Sequence, residues 1–356
     1  TGSRLQAVFA NTLIQRTANI ANASIASTQL LALSPPPDQT HVEVRSVIAP
    51  HPVSTELEKL MQAESFDAIV IGAGQAGPAL AERCTREGLR TAVIERGHFG
   101  GTCVNVGCIP TKTMVASARA IHVARRGAEF GFSAGDVQVN MARVKARKDE
   151  LVHESRNGVL QWMRGLKNAE VIQGQAEFVG ARTVKVGKRV LAAPRVFINV
   201  GGRATVPDLP GVNDVPHLNN ASIMELTEVP DHLVIVGGSY IGLEFAQMMR
   251  RFGAKVTVVE RSAQLLPRED EDVSDGIRAI LEAEGIEFQL EAECLSLSRD
   301  GRQVVVGAVC GTQSPAIVGS HVLLAVGRRP NTDDLGVEAA GIKLDARGYI
   351  VVDEQL

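Results

Sequence analysis

The sequence Asp67-Ala-Ile-Val-Ile-Gly72-Ala-Gly74-Gln-Ala-Gly77 contains an apolar run that leads directly into a turn with three glycines. The run predicts a short strand of a parallel sheet, because such strands are buried and apolar on both faces. A helix is predicted at 79–87 and a second strand at 91–95. Strand, glycine turn, helix and strand together form one βαβ unit.

The three glycines of the turn have the spacing of a dinucleotide-binding loop, G-x-G-x-x-G. Gly72 permits the tight turn, Gly74 lets the backbone approach a pyrophosphate, and Gly77 lets helix and strand pack closely. The phosphates would face the N–H groups at the start of the helix. Glu95, at the end of the second strand, is placed to accept hydrogen bonds from a ribose. The alternative is an ordinary glycine-rich connection between a strand and a helix.

A second copy of this pattern begins 165 residues later. It consists of a strand at 233–237, the loop Gly237-Gly-Ser239-Tyr-Ile-Gly242, a helix at 241–252 and a strand at 255–260. In both copies a glutamate, Glu95 or Glu260, follows the last glycine by 18 residues. The repeat predicts an α/β protein with two nucleotide-binding domains.

The second loop departs from the fingerprint because Ser239 replaces the middle glycine. The small side chain of a serine is still compatible with a bound pyrophosphate. Glu260 favours the unphosphorylated ribose of NAD. The neighbouring Arg261 is either a partner for the 2′-phosphate of NADP or a solvent-exposed charge. We therefore expect NAD, with NADP as the alternative.

Composition limits the classes of function that the chain can have. Of its 356 residues 45% are hydrophobic and 22% are charged, and the net charge is −3. This charge provides no basic field for nucleic acid or for an anionic membrane, and no apolar run is long enough to span a bilayer. A cytoplasmic protein is expected. Residues 1–37, which contain no acidic residue, form either a disordered leader or a transit peptide to an organellar matrix.

Two similar segments flank the second copy. They read Phe197-Ile-Asn-Val-Gly-Gly-Arg and Leu323-Leu-Ala-Val-Gly327-Arg-Arg, and each is an apolar strand that ends in a Gly-Arg turn. We interpret them as the exit from the first domain and the return to it, with the second domain inserted between. The predicted organisation is a leader at 1–63, a first nucleotide-binding domain at 64–212, a second at 213–328 and a return segment at 329–356.

Between the two copies lies the segment Gly100-Gly101-Thr102-Cys103-Val-Asn-Val-Gly-Cys108-Ile-Pro-Thr-Lys112. Cysteines at this spacing can close a small disulfide, and a thiolate at the start of a helix has a lowered pKa and a higher reactivity. Redox chemistry is one interpretation, and a structural disulfide or half of a zinc site are the others. The sequence contains no second cluster of cysteine and histidine for the remaining zinc ligands.

This segment resembles the redox-disulfide signature of the class I pyridine nucleotide-disulfide oxidoreductases, which include dihydrolipoyl dehydrogenase, glutathione reductase and mercuric reductase. The resemblance covers roughly residues 64–356 and includes both nucleotide motifs in the order of the family. It implies two Rossmann-like domains, with FAD at the first motif and a nicotinamide cofactor at the second. It also implies that a hydride from NAD(P)H passes via flavin to the disulfide and on to a small-molecule disulfide or a metal ion.

The resemblance further implies roles for individual residues. Cys103 matches the thiol that exchanges with substrate, Cys108 the sulfur that faces the flavin, and Lys112 the lysine near flavin N5. Glu244 matches the glutamate that pairs with this lysine, and Tyr240 a residue that covers the nicotinamide pocket. The cofactor-binding set that is implied in this way is completed by Gly101, Thr102 at the FAD phosphates, and Gly327.

Within the family we expect a protein most like the mercuric reductase-like members, with dihydrolipoyl dehydrogenase as the alternative. Ser239 resembles mercuric reductases, whereas the run from Tyr240 to Glu244, together with Glu260, resembles dihydrolipoyl dehydrogenases. Relatives continue beyond Leu356 into an interface domain that pairs two subunits and supplies a His-Glu dyad. Without that domain we expect weak retention of FAD, no homodimer of the family type and impaired turnover. A nucleotide-binding fragment without catalysis is the alternative.

Overall fold

The computed structural model describes residues 63–310 and 316–355 of the chain. The described residues divide into two compact units: unit 1 holds 63–101, 156–202 and 330–355, and unit 2 holds 102–155, 203–310 and 316–329. Residues 102–155 therefore group with the second nucleotide motif, and the predicted domain boundaries stay a prediction. The predicted leader at 1–63 lies outside the described residues except for its last position.

Both units contain short strands and helices. The helices are α1 (Ala76–Arg86), α2 (Gly101–Val106), α3 (Cys108–Arg125), α4 (Met141–Gly165), α5 (Tyr240–Phe252) and α6 (Glu271–Ala283), with 3-10 turns at Gly127–Phe130, Ser222–Glu225 and Val337–Ala340. The strands are β1 (Glu64–Ser65), β2 (Ala68–Ile71), β3 (Thr91–Glu95), β4 (Ala169–Gln173), β5 (Ala176–Gly180), β6 (Thr183–Val186), β7 (Arg189–Ala192), β8 (Arg195–Ile198), β9 (Gly202–Ala204), β10 (His232–Val236), β11 (Lys255–Val259), β12 (Ile286–Gln289), β13 (Ala292–Asp300), β14 (Gln303–Cys310), β15 (Ala316–Gly319), β16 (His321–Leu324) and β17 (Arg328–Pro330).

The first βαβ unit forms the centre of a parallel sheet in unit 1. The strand order is β4-β3-β2-β8, and all three pairings are parallel. All four residues of β2 are buried, which explains its uninterrupted apolar sequence. A second sheet in this unit has the order β1-β7-β6-β5. The apolar core of unit 1 includes Ile69, Phe178, Leu191 and Leu335, so it draws on all three stretches of chain that make up the unit.

The second βαβ unit forms the equivalent parallel sheet in unit 2, with the order β12-β11-β10-β16. A separate antiparallel sheet contains β13, β14 and β15. Helix α3 packs against α5, and their buried side chains, among them Met114 and Phe245, belong to one apolar cluster. This packing brings the start of α3, which carries the cysteine segment, next to the second nucleotide motif.

The first part of α4, which belongs to unit 2, contains a buried lysine. Lys148 is 3% exposed, and its Nζ lies 2.5 Å from Asp149 Oδ1 and 2.7 Å from Glu225 Oε1. Burial raises the pKa of both carboxyl groups, but hydrogen bonds from Lys145 and Lys148 outweigh it, so the pKa of each carboxyl group is lowered. A buried ammonium group is costly unless it is paired, and these two carboxylates provide the pairing.

The structure confirms the predicted α/β class and both βαβ units. Helix α1 begins at Ala76, three residues before the predicted start, because Pro78 is tolerated in the first helical turn, where its missing N–H has no intrahelical partner. Among the helices of the described residues, none is both long and apolar enough to cross a membrane.

Candidate active site

Close backbone packing explains why the first motif, in unit 1, requires glycine at two positions. Gly72 has φ of +101°, and a Cβ there would lie 2.3 Å from the carbonyl oxygen of Asn199. A Cβ at Gly77 would lie 2.0 Å from the carbonyl oxygen of Gly72. Both obstacles are backbone atoms, which cannot move aside as a flexible side chain can. Strand, turn and helix are therefore as close as a dinucleotide-binding loop needs them to be.

The surface of this loop leaves space for a ligand. Among the residues that the structure describes, a Cβ on Gly74 would meet only the Cα of Gly101, at 3.9 Å, and none provides a side-chain cap for the first N–H groups of helix α1. Glu95, at the end of β3, accepts hydrogen bonds from the N–H of Ala73 at 2.8 Å and of Gly97 at 2.7 Å. Uncapped helix N–H groups and a fixed carboxylate fit the pyrophosphate and the ribose of a dinucleotide.

Asn199, directly after β8, supports the same assignment. Its side chain is buried, and neither its amide nitrogen nor its amide oxygen has a hydrogen-bond partner among the described residues. Its backbone carbonyl lies beside Gly72, at the same end of the sheet as the loop. Because a buried amide without partners is costly, atoms of a ligand or of an ordered water are expected to complete it. The residues of this corner fit FAD, which the resemblance implies.

The second loop, in unit 2, repeats the geometry of the first. Gly237 has φ of +113°, and a Cβ there would lie 2.5 Å from the carbonyl oxygen of Ala325. A Cβ at Gly242 would lie 2.0 Å from the carbonyl oxygen of Gly237. Ser239 precedes α5 with φ of −101° and ψ of −177°, an extended conformation that any residue adopts. The serine that departs from the fingerprint is therefore compatible with the turn.

Glu260 holds the second loop as Glu95 holds the first. It is 8% exposed and accepts hydrogen bonds from the N–H of Gly238 at 2.6 Å and of Ser262 at 2.9 Å. The next residue, Arg261, lines a cavity of about 410 Å³ together with Ser262 and Glu293. This cavity is a wide-open depression on the surface. The carboxylate predicted to bind a ribose is held in place by the backbone N–H groups of the loop.

The two cysteines lie at the junction of two helices. Helix α2 ends at Val106 and α3 begins at Cys108, with Gly107 between them. A Cβ at Gly107 would lie 2.8 Å from the carbonyl oxygen of Thr102 and 3.2 Å from the Cα of Cys103. Glycine at this position therefore lets the start of α3 fold back onto the turn that carries the first cysteine. Both cysteines are free thiols, the first half-buried and the second exposed.

The two thiols differ in acidity. A hydrogen bond with Cys103 lowers the pKa of Cys108 to about 6, and the backbone N–H of Cys108 and the charge of Lys112 add to this effect against burial. The same hydrogen bond, together with burial, raises the pKa of Cys103. Near neutral pH the pair therefore holds one thiolate, on Cys108, and one proton, on Cys103. The thiolate is the nucleophilic form of a cysteine.

Lys112 lies one turn beyond Cys108 on α3. Its Nζ forms an ion pair with Oε1 of Glu244 on α5, and the two side chains are 48% and 32% exposed. Residues four apart on a helix lie on the same face, so the lysine is a neighbour of the Cys108 side chain. The structure thus brings together the four residues that were predicted to be catalytic, and their roles stay a prediction.

The remaining predicted cofactor residues of unit 2 have partners that the sequence did not predict. Thr102 Oγ1 accepts a hydrogen bond from Arg328 Nη2 at 3.3 Å, directly after Gly327, whose φ is +127°. The hydroxyl of Tyr240 donates a hydrogen bond to the carboxylate of Glu269. Arg328 belongs to the Gly-Arg turn noted in the sequence, but nothing in the sequence pairs Glu269 with Tyr240, which lies 29 residues earlier.

The described residues contain no group of three or more histidine, cysteine, aspartate and glutamate side chains placed to hold a metal ion. The interpretation of the cysteine pair as half of a zinc site therefore finds no further ligands in this part of the chain.

Comparison with known proteins identifies the family. The sequence profile described as pyridine nucleotide-disulphide oxidoreductase matches residues 66–356. The chain belongs to this family. Pyridine nucleotide-disulphide oxidoreductases use FAD and NAD(P)H, and the prediction of family and cofactors is confirmed at this level.

The chain is similar to members of this family with three different names. The probable pyridine nucleotide-disulfide oxidoreductase RclA of Escherichia coli (strain K12) is 37% identical over 298 residues, which are 82% of this chain and 63% of that protein. A mercuric reductase of Bacillus cereus is 34% identical and covers 82% of this chain and 46% of its own length. A dihydrolipoyl dehydrogenase of Geobacillus stearothermophilus is also 34% identical and covers 81% and 62%, respectively.

A solved structure shows the same similarity. The Cu(II) complex of HOCl-induced flavoprotein disulfide reductase RclA from Escherichia coli matches with a TM-score of 0.73 and 36% identity, and the match covers 82% of this chain and 63% of that chain. The chain therefore spans less than two thirds of the length of each of these relatives.

Proposed function

We propose that the protein is an NAD(P)H-dependent, FAD-containing disulfide oxidoreductase that uses Cys103 and Cys108 as its redox pair. The observation that carries this proposal is the hydrogen-bonded thiol pair, in which the pKa of Cys108 is lowered to about 6 next to the ion pair of Lys112 and Glu244. Two loops with dinucleotide-binding geometry, one in each unit, support it. Bound FAD would supply the two-electron carrier between the nicotinamide and the thiol pair.

The side chains around the pair have separate tasks in this scheme. Lys112 keeps a positive charge beside Cys108 and so stabilises its thiolate at neutral pH. Glu244 holds the lysine in place through the ion pair between α3 and α5. Cys103 stores the proton that the pair shares. Cys108 is therefore placed to accept the proton of Cys103 when that thiol attacks.

The reduced pair would reduce a disulfide substrate in two exchange steps. Cys103 attacks one substrate sulfur, its proton passes to the hydrogen-bonded Cys108, and the first product leaves as a thiolate. Cys108 then gives this proton to the first product and attacks the Cys103 sulfur of the mixed disulfide. The Cys103–Cys108 bond forms and the second product leaves as a thiolate. Two electrons and one proton pass from the pair to the substrate, which is released as one thiol and one thiolate.

Two arguments support the proposed substrate classes: the names of the relatives, and the affinity of thiolate ligands for soft metal ions. A function like that of the mercuric reductases, with a metal ion as substrate, is the first candidate, because two neighbouring thiols can ligate one soft metal ion. A function like that of dihydrolipoyl dehydrogenase, with a small-molecule disulfide, is the second. We propose NAD as the preferred nucleotide because both oxygens of Glu260 are held at the ribose end of the loop.

Turnover of the FAD-loaded protein tests the proposal. NADH should reduce the flavin and be consumed steadily in the presence of lipoamide, glutathione disulfide or Hg(II), and NADPH should be used less well. Cys108→Ala should keep FAD and lose turnover with all three. Cys84→Ala is the matched control, because this thiol is buried in α1 of unit 1 and should be dispensable. Binding of FAD without any NADH oxidation by the unmodified protein would favour the alternative, a nucleotide-binding protein without catalysis.

The compartment and the assembly are part of the same proposal. We propose a cytoplasmic location, because in compartments that keep thiols reduced a close cysteine pair more often carries redox chemistry than a structural disulfide. A homodimer of the kind the family forms is proposed for the longer relatives, and sedimentation of this chain at several concentrations tests whether it also self-associates.

A further inference from the structure

Asn220 makes a contact that the proposed chemistry does not yet use. Its Nδ2 donates a hydrogen bond of 2.8 Å to the carbonyl oxygen of Val106, 114 residues away in the sequence and within the same unit. A carbonyl oxygen can only accept, so the amide nitrogen must be the donor. Val106 is the last residue of α2, where carbonyl groups lack an intrahelical partner. The asparagine therefore caps this end of the helix from another part of the chain.

Val106 lies in the four-residue connection between Cys103 and Cys108. The following carbonyl, that of Gly107, accepts a hydrogen bond of 3.0 Å from the N–H of Thr111 in the first turn of α3. The carbonyl groups of Val106 and Gly107, in the two successive peptides between the helices, are thus held by Asn220 and by α3, respectively. The distance and orientation of the two sulfur atoms depend on this connection.

Asn220 is itself fixed by the sheet of unit 2. Two residues earlier, Leu218 forms a parallel bridge with Leu323 of β16. The N–H of Leu218 donates to the carbonyl of Val322 at 2.8 Å, and the carbonyl of Leu218 accepts from Leu324 at 2.9 Å. The contact to Val106 therefore ties the cysteine connection to the edge of a buried parallel sheet rather than to a mobile surface loop.

We propose that Asn220 is a positioning residue that sets the effective concentration of the two thiols for each other, an inference that rests on the proposed redox function of the pair. Formation of the disulfide removes two electrons and, since Cys108 is already a thiolate near neutral pH, one proton from the pair, and an oxidant such as glutathione disulfide accepts them. A connection that holds the two sulfur atoms in place favours the disulfide form. Loss of the hydrogen bond between Asn220 and Val106 should lower the effective concentration of the two thiols for each other by about 3- to 10-fold. That change corresponds to a reduction potential about 14–30 mV less negative for the pair.

Equilibrium with redox buffers measures this potential without NADH. The protein is equilibrated in mixtures of reduced and oxidised glutathione, where glutathione disulfide is the oxidant, and the free thiols are then alkylated and counted by mass spectrometry. Asn220→Ala removes the hydrogen bond to the Val106 carbonyl. Asn220→Asp keeps the shape of the side chain but replaces the donor by a second acceptor, which cannot bond that carbonyl. Both should shift the potential in the less negative direction and raise the pKa of Cys108, measured from thiolate absorbance.

Asn219→Ala is the matched control. The side chain of Asn219 accepts hydrogen bonds from the N–H of Ala221 at 2.8 Å and Ser222 at 3.1 Å, and it caps the 3-10 turn without touching the cysteine connection. Its loss should lower the thermal midpoint and leave the potential unchanged. A potential that is unchanged in both Asn220 variants, or that moves equally in the control, would overturn the inference. Failure of the unmodified protein to oxidise NADH would count against the proposed function and leave this thiol measurement interpretable.

Discussion

Replacement of Lys112 by methionine should raise the pKa of Cys108, which is about 6 in the intact site. The two residues are four apart on α3, so their Cβ atoms are about 5–6 Å apart. For a charge separation of the same order, one unit charge contributes about 3 kcal/mol at an effective dielectric constant near 20. Because Lys112 is 48% exposed, solvent screening reduces this to about 1 kcal/mol. The expected rise is therefore about 0.5–1 pKa unit.

The partner of the lysine supplies a control of opposite sign. Glu244 raises the pKa of Cys108 by its negative charge, so Glu244→Gln should lower that pKa. A general loosening of the contact between α3 and α5 would move both variants in the same direction. Opposite shifts can only arise from the charges themselves.

Titration of the reduced protein in a Cys84→Ala background measures these shifts, from thiolate absorbance and from the pH dependence of the alkylation rate. At pH 7 the thiolate fraction of Cys108 should fall from about 0.9 to roughly 0.5–0.75 in Lys112→Met. Superimposable curves for the intact protein and Lys112→Met, or shifts of the same sign in both charge variants, would refute the electrostatic reasoning.

Three further predictions concern the loops and the buried lysine. Gly77→Ala should destabilise the protein far more than Gly74→Ala in urea unfolding, since the new Cβ would lie 2.0 Å from backbone in the first and 3.9 Å from it in the second; equal losses would contradict the packing argument. Lys148→Met should lower the free energy of unfolding by about 1–3 kcal/mol at pH 7. Because its carboxylate partners have lowered pKa values in the folded state, the stability they provide is lost as the pH falls, and the difference should shrink below about pH 4. Glu260→Ala should weaken NADH binding by about tenfold and NADPH binding less, as measured by fluorescence. An equal loss for both nucleotides would mean that the carboxylate only stabilises the loop and does not recognise the ribose.

Both βαβ units could be predicted from the sequence because their signals are local. A buried parallel strand such as β2 is apolar at every position, and the glycines that follow it are required by backbone contacts within a few residues of the chain or with the neighbouring strand. The start of α1 was predicted too late, at Ala79, because Gly77 and Pro78 are poor helix formers. At the first turn their cost is small, and the uncapped N–H groups there belong to the nucleotide loop.

The contacts that complete the candidate site could not be predicted from residue patterns. Lys112 and Glu244 are 132 residues apart, and only the family resemblance connected them before the structure did. Thr102 and Arg328 are 226 residues apart, and the acidity of Cys108 depends on a hydrogen bond that spacing alone does not reveal. Such contacts result from the packing of α3 against α5 and of loops against a sheet, which leave no periodic trace in the sequence.

The last described stretch of unit 1 has a consequence for how the protein is made. Arg96 pairs with Asp334 at 2.6 Å across 238 residues, and the N–H of Phe178 donates to the carbonyl of Leu335 at 2.8 Å. At about 5–20 residues per second, a ribosome needs roughly 12–48 s to synthesise the chain between the two ion-pair partners. During that time the segments of unit 2 are synthesised, and the apolar core around Phe178 stays incomplete until Leu335 follows, six residues after the end of unit 2. The nascent chain therefore exposes part of the core of unit 1 throughout the synthesis of unit 2.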